Sequence, residues 1–270
     1  MKIKGITAAF FSPTGNCEKI AKCFANAFAE TGECNINICD FTLPEGRKSV
    51  LELGKDDYLL MVLPAYAGRI PNKILPWVQE GFRGNETEAT AIVSFGNRNP
   101  DSTLGEMKRE LTRNGFNLIS AGAVVSEHAF TSALAGGRPD GKDMEAIRKF
   151  ARMTYEETGK GKCVDLKSRE VVEDYYVPKR SDGKPALFLK AKPVKDDAKC
   201  NNCGLCAGVC PMGSISVENT EKCTGICIKC HGCIRKCPKG ARFFDNEDLI
   251  SHREMLINNF AKPCENEFYI

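Results

Sequence analysis

Two cysteine runs stand out among the fifteen cysteines of this chain: Cys200-x2-Cys203-x2-Cys206-x3-Cys210-Pro211 and Cys227-x2-Cys230-x2-Cys233-x3-Cys237-Pro238. Three thiolates spaced in this way can close over one corner of an iron–sulfur cubane. The fourth, displaced further and followed by proline, reaches a second cluster. The spacing therefore predicts two [4Fe–4S] clusters with interlocked ligands. One takes Cys200, Cys203, Cys206 and Cys237; the other takes Cys227, Cys230, Cys233 and Cys210.

The runs repeat with a period of 27 residues and carry Cys-Pro-x-Gly along with the ligands, from Cys210 to Gly213 and from Cys237 to Gly240. Two copies related by a pseudo-two-fold axis follow. The pattern resembles the bacterial two-cluster ferredoxins. A pair of zinc sites is the competing assignment, but zinc uses ligands grouped as two separated pairs rather than runs of four. Cys223, four residues before Cys227, could take the place of a ligand; the full spacing from Cys227 to Pro238 makes it a bystander. The segment from Cys200 to Asp245 has few apolar residues, so its clusters are expected to supply much of its folding free energy.

Composition narrows the remaining classes. The chain has 270 residues and a formal net charge of +3, room for one full α/β domain and a small second one. The charge is too small to indicate nucleic acid. No segment has the length and hydropathy of a membrane span, and no signal peptide is evident at the start. With so many cysteines, the expected setting is a reducing, anaerobic cytoplasm. The cluster segment carries six Lys/Arg against three Asp/Glu, a basic face able to steer an acidic redox protein.

At the N-terminus an apolar segment, Ile3 to Phe11, runs into Ser12-Pro13-Thr14-Gly15-Asn16-Cys17 and then a helical pattern with Ile20, Ala21, Phe24, Ala27 and Phe28. A turn of hydroxyls and amides at a helix N-terminus is an anion site. It lacks the glycine patterns of P-loop NTPases and dinucleotide folds. It is similar to the Thr/Ser-x-Thr-Gly-x-Thr loop through which flavodoxins bind the FMN phosphate, with Cys17 in place of the last threonine. Two further strand-like runs end in Pro64-Ala65-Tyr66-Ala67-Gly68 and in Ser94-Phe95-Gly96-Asn97-Arg98. Strand C-terminal ends border the ligand crevice of an open parallel sheet. The resemblance makes these the loops around the flavin ring, with Tyr66 and then Phe95 as stacking candidates. Trp77, after Pro76, is expected in core packing.

A last strand, Leu118 to Val125, leads into Glu127-His128 and the turn Gly136-Gly137-Arg138-Pro139-Asp140. The pattern is α/β: a flavodoxin-like, doubly wound, five-stranded parallel sheet with a small α+β ferredoxin-like domain. Nearly the whole chain resembles the EFR1 family of flavodoxin–ferredoxin fusions, which implies FMN and two [4Fe–4S] clusters as cofactors. The expected domains are an FMN-binding domain over 1–160, a connecting arm over 161–195, a ferredoxin domain over 196–245 and a tail over 246–270. A helix is expected near Val171 to Tyr176, and the tail is expected to be partly helical and to dock on one of the domains. His128 is read as a hydrogen-bonded loop histidine rather than a proton donor, Arg138 and Asp140 as turn and cap residues; His231 and His252 are assigned no role.

These parts point to a converter between one-electron clusters and a flavin that accepts one or two electrons. The expected partner is a redox protein, either a ferredoxin or a reductase; a homodimer is also considered. A second reading is a flavin-dependent reductase of a small oxidant such as a quinone or nitro compound. A third is a redox-sensing interaction protein.

Overall fold

The computed structural model describes residues 3–270. Its largest sheet begins with β1 (Gly5–Phe10), whose side chains alternate between two faces. Ile6, Ala8 and Phe10 enter one core and Ala9 the other, as the period of a strand requires. β2 (Asn35–Asp40), β4 (Asp57–Pro64), β6 (Thr87–Phe95) and β7 (Phe116–Val125) join it in the order β2-β1-β4-β6-β7. All these pairings are parallel, and the order is that of the flavodoxin-like doubly wound fold. The short strands β3 (Leu51–Leu53) and β5 (Phe82–Gly84) form a separate parallel pair.

Both faces of the sheet are covered. On one, α1 (Asn16–Gly32) lays down Ile20, Phe24 and Phe28 at a spacing of one helical turn, against Ile147 and Phe150 of α4 (Gly141–Glu157). The rings of Phe24 and Phe150 meet edge to face at 5.6 Å. On the other face lie α2 (Leu75–Glu80) and α3 (Thr103–Arg113), contributing Val78, Leu104, Met107 and Leu111. Trp77 packs against this core, its ring edge to face with Phe82. Asp140 caps α4, accepting from the Asp143 amide at 3.0 Å, and Arg138 pairs with Asp143.

The sheet has one strand more than the five expected. β10 (Glu267–Tyr269), from the tail, pairs antiparallel with β7 through Phe268 opposite Gly122. The tail reaches it by way of α7 (Glu247–Phe260), capped by Asn246. The helix expected near Val171 to Tyr176 is absent. A 3-10 turn at Lys167–Glu170 is followed by extended chain. Tertiary contacts override local propensity there: Tyr175 lies over the Arg69 guanidinium, Tyr176 lies over that of Arg98, and the Tyr176 amide donates to Ala67 O.

The cysteine segment repeats its backbone as well as its sequence. One-turn helices α5 (Leu205–Gly208) and α6 (Gly232–Arg235) are 27 residues apart, and so are three pairs of left-handed residues: Asn202 and Lys229, Gly204 and His231, Gly213 and Gly240. Within each pair the φ values differ by at most 16°, the widest being Gly204 at 74° against His231 at 58°. Strands β8 (Val194–Lys195) and β9 (Arg242–Phe243) close the segment as an antiparallel pair.

Candidate functional site

Folding brings the eight expected ligand cysteines into two groups of four. One small cavity is bordered by Cys200, Cys203, Cys206 and Cys237. A second is bordered by Cys210, Cys227, Cys230 and Cys233, with Cys223 as a fifth thiol. Each group thus combines three cysteines of one run with the last cysteine of the other. Matching backbone amides serve the two crossing sulfurs, since Ser214 N donates to Cys210 Sγ and Ala241 N donates to Cys237 Sγ, both at 3.3 Å. The donor sets and amide contacts fit [4Fe–4S] clusters, whose potentials respond to hydrogen bonds on the sulfurs. Among the described residues, no three His, Cys, Asp or Glu side chains converge on a point suited to a single metal ion.

Above the C-terminal ends of the parallel strands lies a cavity of about 580 Å³, within the range typical of cofactor sites. Ser12, Thr14, Asn16 and Cys17 border it, as do Pro64 through Gly68 and Ser94, Phe95, Gly96 and Arg98. Gly15 does not line it; with φ at 96° it makes the left-handed turn that starts α1. The first amides of α1 have no intrahelical partner, and Ser12 Oγ caps one of them by accepting from Glu18 N at 3.0 Å. Those of Asn16 and Cys17 suit an anion. Burial pushes the Cys17 thiol up to about 12, so a neutral S–H stands at the end of this turn.

The loop after β4 is a tight turn. Tyr66 and Arg69 exchange backbone hydrogen bonds around Ala67 and Gly68, both at positive φ. A Cβ on Gly68 would sit 2.2 Å from Asp101 Oδ2, so glycine is demanded by the backbone and by a close neighbour. Arg69 anchors the loop through a bidentate pair with Glu106, a carboxylate fully removed from solvent. Burial raises the Tyr66 hydroxyl well above its ordinary value, so it stays protonated.

Asn97 is placed elsewhere. Its side chain is buried against the tail, donating to Phe260 O and Lys262 O and accepting from Cys264 N. It secures the route from α7 to β10 and does not border the cavity. Gly96 lies beneath His128, where a Cβ would meet the imidazole at 2.5 Å.

Several bordering residues lie outside the motifs. The arm contributes Tyr175, Tyr176, Pro178, Phe188 and Leu189, and α7 contributes His252 and Leu256. All three histidines of the chain gather around Phe130. His231 stacks on its ring at 4.5 Å, and His128 and His252 meet it edge to face. Burial, reinforced by His252, Arg235 and Arg98, lowers His128 to about 4. Its Nδ1 accepts from the Phe130 amide, so His128 is a neutral loop histidine at neutral pH. For the arm residues alone, the available signal was the recurrence of aromatic residues, Tyr175, Tyr176 and Phe188, in an otherwise polar segment.

The cysteine module abuts the cavity directly. Ile226, Cys227 and Ile228 border both the cavity and the second thiol group. A Cβ on Gly232 would meet Pro13 O at 3.1 Å, and Arg47 Nη2 donates to Pro211 O.

A family model described as "4Fe-4S binding domain" matches residues 193–216, which include the first cysteine run. No match was found among curated proteins. Among solved structures, the chain is similar to a flavodoxin of Streptococcus pneumonia TIGR4, with 14% identity over 57% of this chain and 99% of that one and a TM-score of 0.41. It is also similar to a flavodoxin from the domain Archaea, with 12% identity, coverage of 57% and 97% and a TM-score of 0.39. An NAD(P)H:quinone oxidoreductase from Methanothermobacter marburgensis shows 13% identity, coverage of 56% and 97% and a TM-score of 0.37.

Proposed function

We propose that this chain is an iron–sulfur flavoprotein that passes electrons between two [4Fe–4S] clusters and FMN. The observation that carries this reading is the position of Cys227, in the wall shared by the large cavity and the second thiol group. One cluster site is thereby adjacent to the flavin site. The other, with Cys203 exposed, lies toward solvent and a redox protein partner. FMN supplies exchange of one or two electrons, and the clusters supply one at a time. The residues proposed to hold FMN are Ser12, Thr14, Gly15, Asn16 and Cys17 at the phosphate, with Pro64 through Gly68 and Ser94 through Arg98 around the ring; Asn97 acts there only by fixing the tail.

The proposed organisation is an FMN domain over 1–160, an arm over 161–195, the cluster domain over 196–245 and a tail that returns to the first sheet. Among the described residues no helix is long and apolar enough to cross a membrane. The proposed location is the cytoplasm, where free thiols in this number stay reduced.

A reductase of a small planar oxidant is the second reading. It is favoured by the aromatic surface that Tyr176, Phe188 and His252 add to the cavity beyond the strand-end loops. Anaerobic purification with iron, acid-labile sulfide and flavin measured together tests the central reading. About eight irons and one FMN per chain are expected. Clusters without flavin would reduce the protein to a ferredoxin on a sheet scaffold. Turnover of quinones or nitro compounds by the loaded protein separates the reductase from the carrier.

A further inference from the structure

The two thiol groups are unequal. One cavity is bordered by four cysteines, the other by five. The extra one, Cys223, lies outside the internal repeat, because the position 27 residues earlier is Asp196. It is only 9% exposed and packs with Ala207 and Ile215 against Cys206, Cys227 and Cys233.

Its place is fixed by Ser214. The Ser214 carbonyl accepts from the amides of Thr224 and Gly225, its Oγ donates to Ile226 O at 2.5 Å, and its own amide serves Cys210 Sγ. Cys223 also pairs across a β-bridge with Ile215. Gly225 permits the strap, since a Cβ there would stand 2.7 Å from Ser214 Oγ. The loop from Cys223 to Cys227 is thus strapped down with both thiols at one cavity.

We propose that Cys223 is a reserve ligand for the cluster held by Cys210, Cys227, Cys230 and Cys233, placed to replace Cys227. This rests on the two-cluster reading above. In the exchange Cys227 releases its bond to iron, Cys223 takes that bond, and the proton of Cys223 passes to the departing Cys227 sulfur. No electron and no outside reactant is required. Cys227 is the ligand in the wall of the large cavity, and so the one met by an oxidant admitted there; the reserve thiol lies behind it.

Iron and acid-labile sulfide are measured in the anaerobically purified full chain and in Cys227→Ala, Cys230→Ala and Cys223→Ala/Cys227→Ala. With the reserve ligand, Cys227→Ala keeps about eight irons with an altered EPR signal when reduced, while Cys230→Ala and the double variant fall to about four. If Cys227→Ala falls to the same level as the double variant, the proposal is overturned. A wild-type chain without iron overturns the cluster reading beneath it instead. Cys223→Ala provides an independent check should Cys227→Ala fail to fold. It retains its iron under anaerobic conditions but releases half of it several-fold faster than wild type in air; equal release rates count against the reserve role.

Discussion

Arg235 Nη1 lies 2.5 Å from Glu127 Oε1, a charge pair across the seam between the cysteine module and the rim of the large cavity. The same guanidinium donates to Ala129 O at 3.0 Å and His128 O at 2.7 Å. Glu127 in turn accepts from the Gly137 amide at 2.9 Å. One side chain of α6 therefore holds three consecutive residues of the loop after β7.

Replacing Arg235 by Met should loosen this seam without touching a cysteine. Loss of a half-buried pair and two carbonyl contacts is expected to cost about 1–3 kcal/mol. Thermal unfolding of the loaded protein would show a lower Tm, and stopped-flow reduction through the clusters would show slower bleaching of the flavin. Iron content should not change. An unaltered Tm and an unaltered rate would mean that the seam is held elsewhere.

Thr14 borders the cavity at the start of α1, where its hydroxyl can donate to a phosphate. Thr14→Val keeps the shape and removes the donor. A lost hydrogen bond to a charged group is worth roughly 1.5–3 kcal/mol, so the FMN dissociation constant should rise about tenfold or more. Fluorescence titration of the flavin-stripped protein measures this directly, and an unchanged constant would move the phosphate away from this loop.

Acid sensitivity follows from His128, which burial lowers from its ordinary 6.5 to about 4. The unfolded chain takes up a proton in that interval and the folded one does not. The stability contributed by the neutral ring is therefore full above the unfolded value and is lost as pH falls through the window down to about 4. Between about pH 7.5 and about pH 5.5, the loaded wild type should lose about 1 kcal/mol more stability than His128→Gln. Denaturant midpoints at the two pH values give the difference; parallel losses would mean that the ring titrates normally.

Arg242 is 3% exposed, its Nη2 is 3.6 Å from Cys206 Sγ, and its Nε has no partner. A guanidinium beside a proposed ligand sulfur stabilises added negative charge, so a cluster held with Cys206 should be easier to reduce. Arg242→Gln is expected to lower that midpoint potential by roughly 50 mV and to shift the other cluster, whose Cys233 the same guanidinium also influences, by less. Potentiometric titration followed by EPR reads both, and equal shifts in the two clusters would contradict this local role.

The strands built from continuous apolar runs, β1 and β4, were legible in the sequence, and the crossed grouping of the cysteines was expected from their spacing. Other parts depended on distant contacts. β2 has an almost wholly exposed face pattern, so no apolar run marks it. The extended path of Tyr175 and Tyr176 depends on Arg69 and Arg98 far away in sequence. Asn97 sits in a motif-like loop yet serves the tail, because its partners at Phe260, Lys262 and Cys264 come from a segment whose return could not be read locally. His231 and His252 carried no motif; their meeting at Phe130 exists only in the folded chain.

The pairing of β10 with β7 makes the cysteine segment an insertion between two strands of a single sheet. During synthesis, residues 267–269 leave the ribosome after all eight cysteines of the two runs. The outer edge of β7 therefore stays unpaired until the whole iron-binding segment has emerged. Cluster loading and closure of that edge become successive stages in maturation, and a chain cut off within the insertion would retain an open strand able to associate with other chains.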